Sequence, residues 1–173
     1  LFLMPRRDSD LLARRLPALA LLVAALVGTG SIWAQERPGG QGGNGRVLPA
    51  HEGIEYSRPG GTPLLLDLYL PEGDGPFPTV VWIHGGGWKN GDRTKTKAKG
   101  LVGHGIAVAS IDYRLTDVAI WPAQLEDCRA AVRWVRSEGA SYGLGKSVGC
   151  WGSSAGGHLA ALLATTAPPE DEE

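Results

Sequence analysis

The sequence predicts an α/β protein built on a mostly parallel sheet with flanking helices. Three observations carry this. Residues 79–84 ("TVVWIH") and 106–113 ("IAVASIDY") are short apolar, β-branched runs, as expected of strands buried on both faces. Residues 123–136 between that second run and "SVGCWG" at 147–152 carry a helical pattern, and strands alternating with helices imply parallel pairing through right-handed crossovers. Finally, two glycine-rich turns, "HGGGW" at 84–88 and "GSSAGG" at 152–157, follow directly on predicted strands. Ligand sites in such sheets gather at the carboxyl ends of the strands.

The elements follow in order. Residues 1–34 have the layout of a secretory leader: Arg6, Arg7, Arg14 and Arg15, then the apolar run "LPALALLVAALVG", then "SIWA" before Gln35. Cleavage is expected after Ala34, with translation starting at Met4 or at a non-standard codon. An uncleaved anchor is the competing reading, but the apolar core is shorter than the roughly 20 residues a spanning helix needs. The arginine pair at 14 and 15 suggests a twin-arginine route, which the following "LPAL" fits poorly. Residues 35–46, rich in glycine, read as a flexible linker, and the folded domain is expected over 47–173.

Within the domain, "IEYS" at 54–57 and "LLLDLYL" at 64–70 read as an antiparallel edge hairpin across the turn-forming "RPGGTP". Leu64, Leu66, Leu68 and Leu70 recur at period two, marking one buried face. A polar, lysine-rich helix is expected over 94–104. After Pro122, Leu125, Cys128, Val132 and Val135 share one helical face, with Arg129, Arg133 and Arg136 mostly opposite. "SVGCWG" is a further buried strand, residues 155–165 a small-residue helix, and "APPEDEE" an acidic tail.

Composition sets limits on partners. The formal net charge is −1; loss of the leader removes four arginines and two aspartates and leaves −3. That balance gives no electrostatic reason to expect nucleic acid or an anionic membrane surface as a partner. The expected location is the periplasm or the exterior, with no stable membrane partner once the leader is gone. The two cysteines would permit one disulfide in an exported chain. Cys128 in a helix and Cys150 in a buried strand read rather as two small buried hydrophobes. No metal spacing is present.

The chemistry lies in the turns. Placing the template G-x-S-x-G on "GCWGSSAGG" allows one register, Gly152, Ser153, Ser154, Ala155, Gly156, because centring it on Ser153 would require a glycine where Trp151 stands. Ser154 is therefore the expected nucleophile, lifted into the site where a strand turns into a helix, with Gly152 and Gly156 keeping crowding low. A serine hydroxyl also needs a base and donors for the oxyanion. "HGGG" supplies the donors, since glycines let backbone N–H groups approach a substrate oxygen. The N–H groups of Gly86, Gly87 and Ala155 are the expected oxyanion hole, with Gly85 needed for the turn, His84 bracing it, and Trp88 and His158 lining the pocket.

With "DYRL" at 112–115, "WPAQLEDCRAAVRWVR" at 121–136 and "GSSAGGHLAALLA" at 152–164, the chain resembles the α/β-hydrolase esterases of the hormone-sensitive-lipase-like group over residues 52–166. Its nearest likeness is to bacterial carboxylesterases, feruloyl esterases and acetyl xylan esterases. The resemblance implies hydrolysis of small carboxylic esters through an acyl-enzyme, without a cofactor. It leaves substrate identity and oligomeric state open.

It also implies a triad running Ser, then Asp or Glu, then His along the chain. The residues after Ser154 hold one histidine, His158, four positions into the helix that begins at the serine and too close in sequence to face it. His51 and His104 read as solvated residues in a loop and at a helix end. Asp112 and Asp127 precede the serine, an order that excludes them as the triad acid of that family; Asp112, Tyr113 and Arg114 are expected to build the structure below the site. The expectation is therefore an N-terminal part of a hydrolase domain whose acid and base lie downstream, inactive by itself and exposing an unpaired, apolar sheet edge. A formamidase or peptidase of the same fold is the alternative within enzymes. A ligand-binding relative without a triad is the alternative outside them.

Overall fold

A computed structural model describes residues 47–166. The expected leader (1–34), linker (35–46) and acidic tail lie outside the described residues. Among the described residues, no helix is long and apolar enough to cross a membrane.

Five strands form one mixed sheet: β1 (His51–Ser57), β2 (Leu64–Tyr69), β3 (Phe77–Ile83), β4 (Ala107–Ile111) and β5 (Leu144–Gly152), in the order β1-β2-β4-β3-β5. β1 and β2 form the expected antiparallel pair, β2 is antiparallel to β4, and β3 lies parallel between β4 and β5. Ile83 stands opposite both Ile111 and Gly152. Three parallel strands thus end at one level, and His84, Asp112 and Ser153 emerge together.

Helix α1 (Ala123–Ser137) starts after Pro122, and α2 (Ala155–Thr165) starts at the second glycine turn. On α1, Leu125, Cys128, Ala131 and Val135 are buried, a spacing of three and four residues that closes one face of the helix on the sheet. They meet Leu64, Leu66, Leu68, Val81, Ile83, Ala107, Ala109, Ile111 and, from α2, Leu159 in one core. The smaller cluster of Tyr69, Trp82, Ala98 and Val108 occupies the opposite face.

Three expectations are corrected. Residues 94–104 do not form one helix: 3-10 segments occupy Arg93–Lys95 and Ala98–His104. Asp92 accepts the Thr94 N–H at 2.9 Å and Thr96 Oγ the Ala98 N–H at 3.1 Å, local bonds that compete with α-helical ones, and Gly100 and Gly103 weaken the helix further. Consequently both α-helices cover one face of the sheet, and a 3-10 segment covers the other. Strand β5 is not buried on both faces: it is the edge of the described sheet, Trp151 is 47% exposed, and Cys150 is only partly buried. Lastly, His51 lies in β1 rather than a loop, exposed and edge-on to Tyr142 with ring centroids 5.0 Å apart.

The leucines of β2 face the main core as their period predicts, yet the alternate residues are not in water. Asp67 and Tyr69 are 3% and 2% exposed. Asp67 accepts from the Gly53 N–H and from Arg93 Nε, both at 2.8 Å.

Candidate active site

Strands β3 and β5 are parallel neighbours, and their exits lead to opposite faces of the sheet, β3 into the 3-10 segments and β5 into α2. Such a divergence opens a crevice at the carboxyl ends. The turn after β3 is fitted to it by close approach. A Cβ on Gly85 would lie 2.6 Å from the Ser153 carbonyl oxygen and 3.3 Å from Ser154 Cβ, so only glycine lets this turn rest on the second one. Gly86 has φ +124°, where an L side chain is strained and would overlap the Asn90 carbonyl. Its own carbonyl turns inward to accept from Lys89 and Asn90 at 3.1 and 3.2 Å. The N–H groups of Gly86, Gly87 and Ala155 find no acceptor among the described residues.

In the second turn the strain falls on the serine. Ser154 has φ 53° and ψ −118°, a conformation that costs a non-glycine residue roughly 1–3 kcal/mol. Ser153 is pinned by its backbone, its N–H donating to Ile83 O at 3.3 Å and its carbonyl accepting from Gly156 at 2.9 Å. Gly152 and Gly156 face each other: a Cβ on either would overlap backbone, that of Gly156 in the first case and the Ile83 and His84 carbonyls in the second. The chain can therefore double back between β3 and β5 only with both glycines present, and Ser154 is left exposed at the crest.

Side chains brace the first turn from below. His84 is 3% exposed, its Nδ1 lies 2.8 Å from Gly85 O, and its ring stacks on Tyr113 with centroids 4.3 Å apart. The Tyr113 hydroxyl donates to His84 O at 3.1 Å. Burial, with Cys128 nearby, pushes the Tyr113 phenol up to about 12. Asp112 accepts from the Arg93 N–H and from Arg93 Nη1, both at 2.8 Å. Asp127, 1% exposed, takes the Arg114 N–H and guanidinium at 2.7 to 3.1 Å. The hydrogen bond to Asp127 raises the Arg114 pKa further above its ordinary value. Both aspartates are thus committed to arginines.

A cleft of about 250 Å³ is lined by Trp88 next to the first turn, Thr116 and Trp121 from the loop before α1, Gln124 on α1 and His158 on α2. Trp88 and His158, the two pocket residues expected from sequence, meet edge to face with centroids 5.6 Å apart. Trp88 has φ 60°, held in part by its carbonyl accepting the Thr116 N–H at 2.9 Å. Sequence reading missed Thr116, Trp121 and Gln124. Gln124 had a signal: a polar residue next to Leu125 on the apolar side of α1's first turn. His51, at the start of β1, and His104, at the end of a 3-10 segment, are both exposed. Among the described residues no histidine side chain hydrogen-bonds the Ser154 hydroxyl; His158 reaches Ser154 only through its backbone N–H, which donates to the Ser154 carbonyl at 3.1 Å.

Comparison with known proteins agrees with this geometry. Residues 66–172 match the BD-FAE family model. The chain is 41% identical over 95 residues to the esterase LipI of Mycobacterium tuberculosis, covering 52% of this chain and 29% of that protein. It is 35% identical over 116 residues to the esterase LipQ of the same organism, covering 63% and 28%. Among solved structures, propionate-bound Est2, a thermophilic esterase of Thermogutta terrifontis, superposes with a TM-score of 0.62 at 29% identity, covering 72% of this chain and 50% of that one. The chain thus spans under a third of these curated relatives and about half of the solved structure. It belongs to the BD-FAE family and has the α/β-hydrolase fold of the hormone-sensitive-lipase-like esterases.

Proposed function

We propose that the protein hydrolyses small carboxylic esters, with Ser154 as nucleophile. The observation that carries this is the strained Ser154 backbone set against a turn whose Gly86 and Gly87 N–H groups are unspent. In this reading Ser154 Oγ attacks the ester carbonyl carbon and loses its proton to a general base. The N–H groups of Gly86, Gly87 and Ala155 hold the tetrahedral oxyanion, and collapse expels the alcohol and leaves an acyl-serine that water then cleaves. The base and its orienting carboxylate come from outside the described residues, because His84 is engaged in its stack and His158 stands against Trp88. No cofactor enters these steps. Export follows from the leader, and the mature amino terminus is Gln35.

Expressed from its full reading frame, the protein is expected to hydrolyse 4-nitrophenyl acetate faster than an aryl formamide. A fluorophosphonate should add one phosphonyl group, at Ser154. Hydrolysis that survives Ser154→Ala, or labelling at Ser153, would overturn the assignment. The 173-residue chain alone is expected to show no Ser154-dependent turnover; robust turnover would refute the placement of the base.

A further inference from the structure

The turn after β3 does not end at Trp88. Gly91 has φ +107°, and a Cβ there would lie 2.4 Å from His84 Nδ1 and 2.5 Å from Gly85 O. Together with the bonds from the Lys89 and Asn90 N–H groups to Gly86 O, this contact closes residues 84–91 on themselves. A loop closed in this way keeps its own shape, but its tilt on the sheet depends on what holds its far end. That end is Arg93, two residues beyond Gly91.

Both the backbone and the side chain of Arg93 are anchored. Its N–H and Nη1 donate to the two carboxylate oxygens of Asp112 and its Nε to Asp67 Oδ1, all at 2.8 Å. Its carbonyl accepts from Ser110 Oγ at 2.6 Å. Asp67 and Ser110 are buried and stand opposite each other on β2 and β4, so the anchor is set into two paired strands. One guanidinium serves two carboxylates; without it the two anions would face each other, one of them buried and unpaired, and push the segment off the sheet. Asp112 is also followed by Tyr113, whose ring and hydroxyl hold His84. Arg93 thus reaches the donor turn along the chain through Gly91 and across the sheet through Asp112 and Tyr113. We propose that Arg93 is a positioning residue for ester hydrolysis: without touching substrate, it sets where the Gly86 and Gly87 N–H groups meet the oxyanion. The inference rests on the esterase reading for the reaction, but the position of the turn can be read without turnover.

The experiment uses the protein expressed from its full reading frame. Arg93→Ala is expected to lower kcat for 4-nitrophenyl acetate about 10- to 100-fold, as for donors misplaced by about 1 Å, with KM within about threefold of the parent value. Ser110→Ala removes the bond to the Arg93 carbonyl without changing any charge, and should lower kcat in the same direction by less. In NMR spectra the Gly86 and Gly87 backbone amide resonances should move in both variants. Arg58→Ala, which breaks only the exposed pair with Glu55, should change neither kcat nor those resonances. A folded Arg93→Ala protein that loses stability but keeps its kcat, or whose loss lies in KM, would show a merely structural role and overturn the proposal. Where Arg93→Ala fails to fold, an unchanged kcat or unmoved Gly86 and Gly87 resonances in Ser110→Ala would do the same. If the parent protein hydrolyses no ester, the esterase reading fails instead, and the resonances alone decide whether Arg93 holds the turn.

Discussion

Residues 84–87 and residues 152–156 leave neighbouring parallel strands at the same level, and both are rich in glycine, but the glycines meet different demands. In the first turn they free the backbone: Gly86 takes a φ closed to other residues, Gly87 has open space where its Cβ would be, and unspent N–H groups result. In the second turn the glycines free their neighbours: Gly152 and Gly156 are pressed against backbone, and the unusual dihedral belongs to the serine between them. The first turn therefore needs a brace, given by His84 and Tyr113. The second is held by the backbone it is wedged into.

That contrast can be broken in four places. The largest effect is expected from Gly156→Ala, whose methyl would overlap the Ile83 and His84 carbonyls; urea melts should show a loss of about 3 kcal/mol or more. A loss under about 1 kcal/mol would mean the second turn is not wedged. Tyr113→Phe should cost about 1 kcal/mol by removing the bond to His84 O. Because folding raises the Tyr113 phenol from its ordinary value near 10 to about 12, its contribution is complete below pH 10 and lost as pH rises towards 12. The decline in melting temperature over that window should accordingly be shallower in the variant, and an unchanged slope would remove Tyr113 from the brace.

Smaller effects separate space from dihedral strain. Gly87→Ala meets nothing within 4 Å but must hold φ +61°, so a cost of about 1 kcal/mol is expected in the same melts. A cost matching that of Gly156→Ala would erase the distinction between the turns. Ser154→Gly has the opposite sign: relief of the strained dihedral should stabilise the fold by up to about 1 kcal/mol. Destabilisation would show that the serine conformation is not strained.

Much of this site was legible in the sequence because its parts are local. The register of G-x-S-x-G singles out Ser154, and a glycine run after a buried strand marks the donor turn. The helix over residues 155–165 was readable from its small residues and the prolines beyond it. The lysine-rich stretch at 94–104 was misread because Asp92 and Thr96 bond to nearby backbone N–H groups, a choice that composition does not reveal. Strand β5 has the apolar look of a central strand, but its place at the described edge depends on which strands pair.

The sequence by itself determined the alternation of strands and helices, the two turns and the serine, since each follows from neighbours a few residues apart. Only the tertiary structure decided that Ile83, Ile111 and Gly152 end level, that Gly85 rests on the elbow, and that Gln124 spends its donors on Arg114 and Ala119. The physical reason is that strand register, close backbone approach and hydrogen-bond satisfaction are set between segments distant in the chain, where no local preference acts.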